Sequence, residues 1–234
     1  AAQSLTSTAE AARAAFPRDP RRAVETLKAA IQRAEREWAF ALRVEAEQPQ
    51  GFPRPTPPGE IEVKPYPAYR MARAEPSAGR AFWTLFMHIK RNGVAMTAPV
   101  DMNLDGGPAD AAREESMAFL YEEPNQGRAG RDGAVEVIDV DPMTVVSTGV
   151  RGPRTESAVG EARRRLESWL ERQSERWAPA GPVRVMAYNS PFVPRDQNFF
   201  EVQIPLRPIG VEPGAPGPSA PAALPKADLP TGER

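Results

Sequence analysis

The stretch Phe82-Trp83-Thr84-Leu85-Phe86-Met87-His88-Ile89-Lys90-Arg91-Asn92-Gly93 runs directly into Val94-Ala95-Met96-Thr97-Ala98-Pro99-Val100. Phe82, Leu85, Phe86 and Ile89 recur at three- and four-residue steps, so they share one face of a short amphipathic helix and point at a sheet. Trp83 and Met87 flank that stripe on one side, and His88 lies on the other flank near Ala81 and Thr84. Asn92-Gly93 stops the helix, and a strand follows in which Pro99, lacking an N–H, suits an edge or a bulge.

Working outward, the first half reads as strand (61–74), helix (79–91), strand (94–104) and strand (116–122). The second half repeats the order, with strand (135–150), helix (156–177), strand (183–188) and strand (199–206). Alternation supports the strands. Met117, Phe119 and Tyr121 share one side, and Phe200, Val202 and Ile204 lie opposite Glu201 and Gln203. The expected fold is α+β: two β-α-β-β pseudo-repeats joined into a distorted eight-stranded antiparallel β-barrel with two flanking helices. Closure would remove free sheet edges.

Four segments are expected along the chain. Residues 1–48 hold a loose small-residue lead-in (1–17) and a long amphipathic helix over 20–47. Asp19-Pro20 supplies its N-cap and first-turn proline, and Val24, Leu27, Ile31, Trp38 and Leu42 form its apolar stripe. That helix either packs on the flank of the domain or meets a protein partner or a second copy. Residues 49–59 form a Pro-rich linker, 60–208 the barrel domain, and 209–234 a Pro/Ala/Gly-rich tail expected to be disordered.

Composition narrows the function classes. Thirty basic against thirty-one acidic residues give a net charge of −1, which supplies no global field for nucleic acid or anionic membrane. No run approaches the roughly 18 apolar residues of a membrane span. The absence of cysteine removes disulfides, thiolate metal sites, covalent haem attachment and cysteine nucleophiles. One histidine and no HExxH or Gly-x-Ser-x-Gly sequence leave the usual catalytic constellations without parts, so no enzyme is expected. Arg163-Arg164-Arg165 reads as a solvated helix face above an inward Leu166, Trp169 and Leu170. Ala1-Ala2-Gln3 suits the product of a signal peptidase, hence an expected exported or periplasmic location; a trimmed chain would begin the same way.

The helix ending at Asn92-Gly93 with Met96-Thr97-Ala98-Pro99-Val100, and later Tyr188-Asn189-Ser190-Pro191-Phe192-Val193-Pro194-Arg195, Asn198 and the strand Phe200–Pro205, resemble the SOUL haem-binding protein family over about two thirds of the chain. The resemblance implies the same duplicated barrel, which is also similar to the effector-binding domains of bacterial multidrug-responsive regulators. It implies non-covalent binding of haem b or a related tetrapyrrole for transport, storage or scavenging. Relatives commonly carry an aromatic residue where His88 stands, share no single axial ligand, and have a longer loop after the helix.

If haem binds, its faces need an apolar slot and its propionates need cations. The slot implied lies between the end of the first helix, the Met96 strand and the Pro191-Phe192 loop. Met96 and Phe192 would line it, and Arg91 and Arg195 would meet propionates. Tyr188 would donate a hydrogen bond or ligate as phenolate, and His88 would be the metal ligand. Each has a plainer reading. His88 also suits the negative end of a helix as a partly exposed cation, Arg91 is a solvated helix-end charge, and Met96, Tyr188 and Phe192 pack the core or pin a loop. Glu201 is either an ordinary surface strand carboxylate or, if it faces a cavity, a desolvated acid or base of a small-molecule-binding or hydrolytic barrel.

Overall fold

Alternation of side chains sets one face of the sheet against two helices and the other against an extended segment of the same chain. The computed structural model describes residues 2–38, 42–75, 80–107, 109, 113–190 and 192–210. The strands are β1 (Ile61–Tyr66), β2 (Tyr69–Ala74), β3 (Val100–Leu104), β4 (Glu114–Leu120), β5 (Gly130–Asp132), β6 (Val135–Val140), β7 (Met143–Arg151), β8 (Trp177–Pro179), β9 (Arg184–Ala187) and β10 (Phe199–Pro208). They form one antiparallel sheet in the order β1-β7-β10-β9-β3-β4-β2-β6-β5, with β8 added beside β10. Around the central β3–β9 pair, β4, β2 and β6 lie on one side and β10, β7 and β1 on the other.

Helix α3 (Ala81–Arg91) covers β2, β4 and β6, and α4 (Glu156–Glu171) covers β7 and β10. Leu85 and Ile89 of α3 pack on Ala72, Phe119, Tyr121 and Val137. Leu166 and Val159 of α4 pack on Val146, Val185, Phe200, Val202 and Ile204. Thr155 caps α4, its hydroxyl accepting from the Ala158 amide at 3.2 Å.

Several expectations change. The sheet is open rather than a closed barrel: its path ends at β1 and at the three-residue β5. Pro65 within β1 has no N–H for a further neighbour, which is where a sheet tolerates proline. The long strands expected at 61–74 and 135–150 each break into two, with Pro67 and Pro142 in the breaks. The strand after α3 begins at Val100, α4 stops at Glu171, and Trp177 enters β8 instead. The expected loose lead-in is helix α1 (Ala2–Ala15), rich in alanine, the best helix former. It pairs with α2 (Pro20–Trp38), burying Ala12 and Ala23. Asp19 caps α2 by accepting from the Arg22 amide at 3.0 Å. The tail beyond Gly210 lies outside the described residues.

The helix expected over 20–47 gives way to non-helical chain by Leu42, because the backbone there serves the sheet. The Arg43 carbonyl accepts from Asn189 Nδ2 at 2.7 Å, the Glu47 carbonyl from the Ala98 amide at 2.9 Å, and the Glu45 carboxylate from the Ser190 amide at 2.7 Å. The strap 42–60 then crosses the face away from the helices. Leu42 and Phe52 join Tyr69, Met71, Leu120, Met186 and Tyr188 in a third core. Phe52 meets Tyr66 and Tyr69 edge-on at 4.9 and 5.2 Å between centroids. The Pro-rich stretch 49–59 is irregular, as its prolines require, yet it is packed along the domain.

The strap comes closest to the sheet at Gly149, where Pro58 forms a bridge and Gly59 N donates to the Gly149 carbonyl at 2.9 Å. A Cβ at position 149 would lie 2.0 Å from the Thr56 carbonyl oxygen. Gly149→Ala is therefore expected to cost about 1–3 kcal/mol of unfolding free energy, read as a lower urea midpoint. An unchanged midpoint would mean that the strap is not seated there.

Candidate functional site

The outer face of α3 is an aromatic platform. Ala81, Leu85, His88 and Ile89 are buried, which by helical periodicity turns Trp83 and Met87, four residues apart, outward. They are 64% and 60% exposed, among the most exposed large apolar side chains described. Phe82 and Phe86 flank them half-buried, with rings stacked at 6.2 Å. Trp83 meets both edge-on at 5.7 and 5.9 Å, and Lys90 Nζ lies 5.8 Å from the Phe86 centroid. The helix end is fixed by the Val94 amide donating to the Ile89 carbonyl at 2.9 Å and by Gly93 at φ 66°, a Schellman-type stop. Lys90 and Arg91 in the last turn complement the helix dipole.

His88 differs from the partly exposed cation expected of it: its ring is 4% exposed. Nδ1 lies 2.8 Å from Asp132 Oδ2 and Nε2 lies 2.9 Å from the Tyr121 hydroxyl. Asp132 also accepts from Arg91 at 2.7 Å. The Arg91 hydrogen bond, and after it that of His88, hold the Asp132 carboxyl below the usual range, while burial pushes the Tyr121 phenol up. Both imidazole nitrogens are engaged, so ligating a metal would break one of these bonds. Among the described residues no group of three or more His, Asp or Glu side chains is arranged to hold a metal ion.

The face under the strap carries buried charge. Glu201 is 0% exposed, not the surface strand glutamate that alternation made the simpler reading. Its Oε1 accepts from Lys64 Nζ at 2.5 Å, the Thr56 amide at 2.6 Å and Ser147 Oγ at 2.9 Å; Oε2 accepts from the Tyr188 hydroxyl at 2.7 Å and Gln203 Nε2 at 3.1 Å. Beside it, Arg184 donates to Gln203 Oε1, Tyr69 and Asp101 at 3.0, 2.8 and 3.2 Å. Burial alone would raise the Glu201 pKa, but the Lys64 charge and the convergent donors bring it below the ordinary value. Burial pulls the Lys64 ammonium down although Glu201 opposes it. Burial raises Asp101 despite Arg184, and raises the Tyr188 phenol well above its usual value.

The structure distributes the expected site residues over several places. His88, Arg91 and Met96 stay together at the end of α3, with Met96 packed against the α3 core. Tyr188 is under the strap with its hydroxyl on Glu201. Arg195 lies by the N-terminal end of α4, lining a separate cleft, and Phe192 stands 93% exposed on the loop after β9; Pro191 lies outside the described residues. Periodicity places Trp83 and Met87 beside the helix stripe, outside the expected set of ligand contacts. Their signal was their flank position, legible as exposure only once the inward face is known.

Removing the negative partner of Lys64 leaves a buried cation uncompensated. Glu201→Gln is expected to lose about 3–5 kcal/mol. Because the folded pKa of Glu201 is depressed, its contribution is complete above the ordinary value of 4.5 and is lost as pH falls through the folded value. The stability gap between wild type and Glu201→Gln in chemical denaturation should therefore narrow below about pH 4.5; a gap that widens in acid would contradict this electrostatic account.

The model of the family described as SOUL heme-binding protein matches residues 29–205. Among curated proteins none matches the chain. Solved structures with similarity include the EcmrR C-terminal domain, at 13% identity over 63% of this chain and 97% of that one, with a TM-score of 0.48. A hydrolase from Listeria innocua matches at 10% identity over 66% and 94%, TM-score 0.46, and SAV2435 bound to tetraphenylphosphonium at 8% over 63% and 94%, TM-score 0.40. With a family match that spans most of its length, from within α2 to within β10, the chain belongs to the SOUL haem-binding protein family.

Proposed function

We propose that the protein binds haem b or a related tetrapyrrole reversibly and non-covalently, as a carrier, store or scavenger rather than an enzyme. The observation that carries this reading is the outward pair Trp83 and Met87 on α3, 64% and 60% exposed beside the ordered rings of Phe82 and Phe86. A flat apolar macrocycle gains from stacking on such a surface. Lys90 stands at one end of the platform, where propionates need cations; Arg91 beside it is already paired with Asp132. Phe192 is the proposed second wall: its loop leaves β9 beside the start of β3, since Ala187 pairs with Val100. That is also the end at which α3 stops, because Thr97 Oγ1 donates to the Leu120 carbonyl and His88 reaches Tyr121.

The residues fit the macrocycle better than they fit its iron. His88 and Tyr188 already spend their polar atoms on Asp132, Tyr121 and Glu201, so the reading rests on apolar contact and propionate pairing without a histidine ligand. When bound, haem would supply an iron centre able to take exogenous ligands. The chain's own part is to hold one face of the ring.

Hemin titration is expected to give a saturable Soret shift at about one equivalent. Trp83→Ala should weaken it about tenfold, a loss of ~1.4 kcal/mol, and His88→Gln should leave the band position unchanged. No shift beyond that of a nonspecific control protein would sink the reading. A band moved by His88→Gln but not weakened by Trp83→Ala would transfer the site to the imidazole.

A protein-interaction role is favoured by one separate observation. The α1–α2 hairpin leaves Phe16, Val24 and Ile31 exposed at 52%, 42% and 41%, which suits a second copy or a protein partner. Sedimentation velocity should then show an associated species that Val24→Glu with Ile31→Glu converts to monomer, while a monomeric wild type would remove the self-association form of this role.

A further inference from the structure

We infer that the cleft between α4 and the end of β7 is a second ligand site, selective for a carboxylate on an apolar body of about fatty-acid size. The cleft measures about 880 Å³ and shares no lining residue with the α3 platform. That volume is within the range of small-molecule sites. Val150, Pro153, Ala158 and Ala162 give it an apolar floor, and Arg151, Arg165 and Arg195 stand around it against the two carboxylates Glu161 and Asp196.

The walls are tied to one another. Arg165 donates to the Gly59 carbonyl, Thr148 Oγ1 to the Glu60 carbonyl at 2.6 Å, Arg151 Nε to the Asp196 carbonyl at 2.8 Å, and the Gly152 amide to the Asn198 carbonyl at 2.8 Å. Strap, β7, α4 and the 195–198 turn therefore frame a preformed cleft, which lowers the ordering cost of binding. Among the described residues no carboxylate pairs with Arg165 or Arg195, and Arg165 is engaged only by a neutral carbonyl. Guanidinium forks with free donors at the edge of an apolar floor recognise a carboxylate head while the floor takes the tail. A cationic amphiphile would meet the same floor with repulsion at its rim.

The test is calorimetric titration of the whole chain with decanoate and with decyltrimethylammonium, both below their micellar concentrations. Decanoate should bind saturably near one equivalent, and the ammonium compound at least tenfold more weakly. Arg195→Glu, an exposed change expected to leave folding intact, should weaken decanoate about tenfold, and Ala158→Trp, at a half-buried position of the floor, should fill the cleft and abolish binding. Trp83→Ala should leave decanoate binding unchanged, and excess decanoate should not reverse a hemin-induced Soret shift. Equal binding of the two amphiphiles, or full decanoate affinity in Arg195→Glu, would overturn the inference. Displacement of hemin by decanoate would overturn the separateness of the two sites, while failure of hemin to bind at all would leave the decanoate result standing.

Discussion

The buried pair of Glu201 and Lys64 is the constraint on which the rest of the structure depends. A carboxylate at 0% exposure is tolerable only when its lone pairs are filled, and one of its donors is the Thr56 amide of the strap. Satisfying Glu201 therefore commits the chain to lay 42–60 across the sheet. Phe52 is thereby set against Tyr66 and Tyr69, and Pro58 and Gly59 against Gly149. The face that would otherwise be an open polar concavity is closed by the protein's own backbone. The helix-bearing side carries the α3 platform and the α4 cleft.

On that side the two helices play unequal parts. α4 seals its half of the core with Leu166 and Val159 and frames a cleft beside its first turns. α3 seals the other half with Leu85 and Ile89 and turns Trp83 and Met87 to solvent. The His88–Asp132–Tyr121 chain of hydrogen bonds fastens the end of α3 to β5 and to the residue that follows β4. That makes His88 a strut for the platform.

Much of the architecture was legible in local patterns. The 3.6-residue spacing of Phe82, Leu85, Phe86 and Ile89 and the alternation of Phe200, Val202 and Ile204 gave the helix and strand faces correctly. What alternation could not tell was whether the side opposite Val202 met water or protein, because the covering element is irregular chain more than 140 residues away in sequence, as the Thr56–Glu201 bond shows. Proline-rich composition announces that 49–59 lacks repeating hydrogen bonds; it carries no information about tertiary docking. In the same way, His88 at a helix end reads as exposed until Asp132 and Tyr121, both distant in sequence, arrive to enclose it. Tyr188 and Arg195 are near neighbours in one motif but diverge in space, since the 188–198 turn carries one beneath the strap and the other toward α4.

The most direct test of the account is a crystal structure of the protein with one equivalent of hemin. The account predicts the macrocycle against Trp83 and Met87 on the outer face of α3, with the strap in place and the Thr56 amide still on Glu201. A macrocycle seated on the opposite face, with residues 42–60 displaced and Glu201 opened to it, would contradict it.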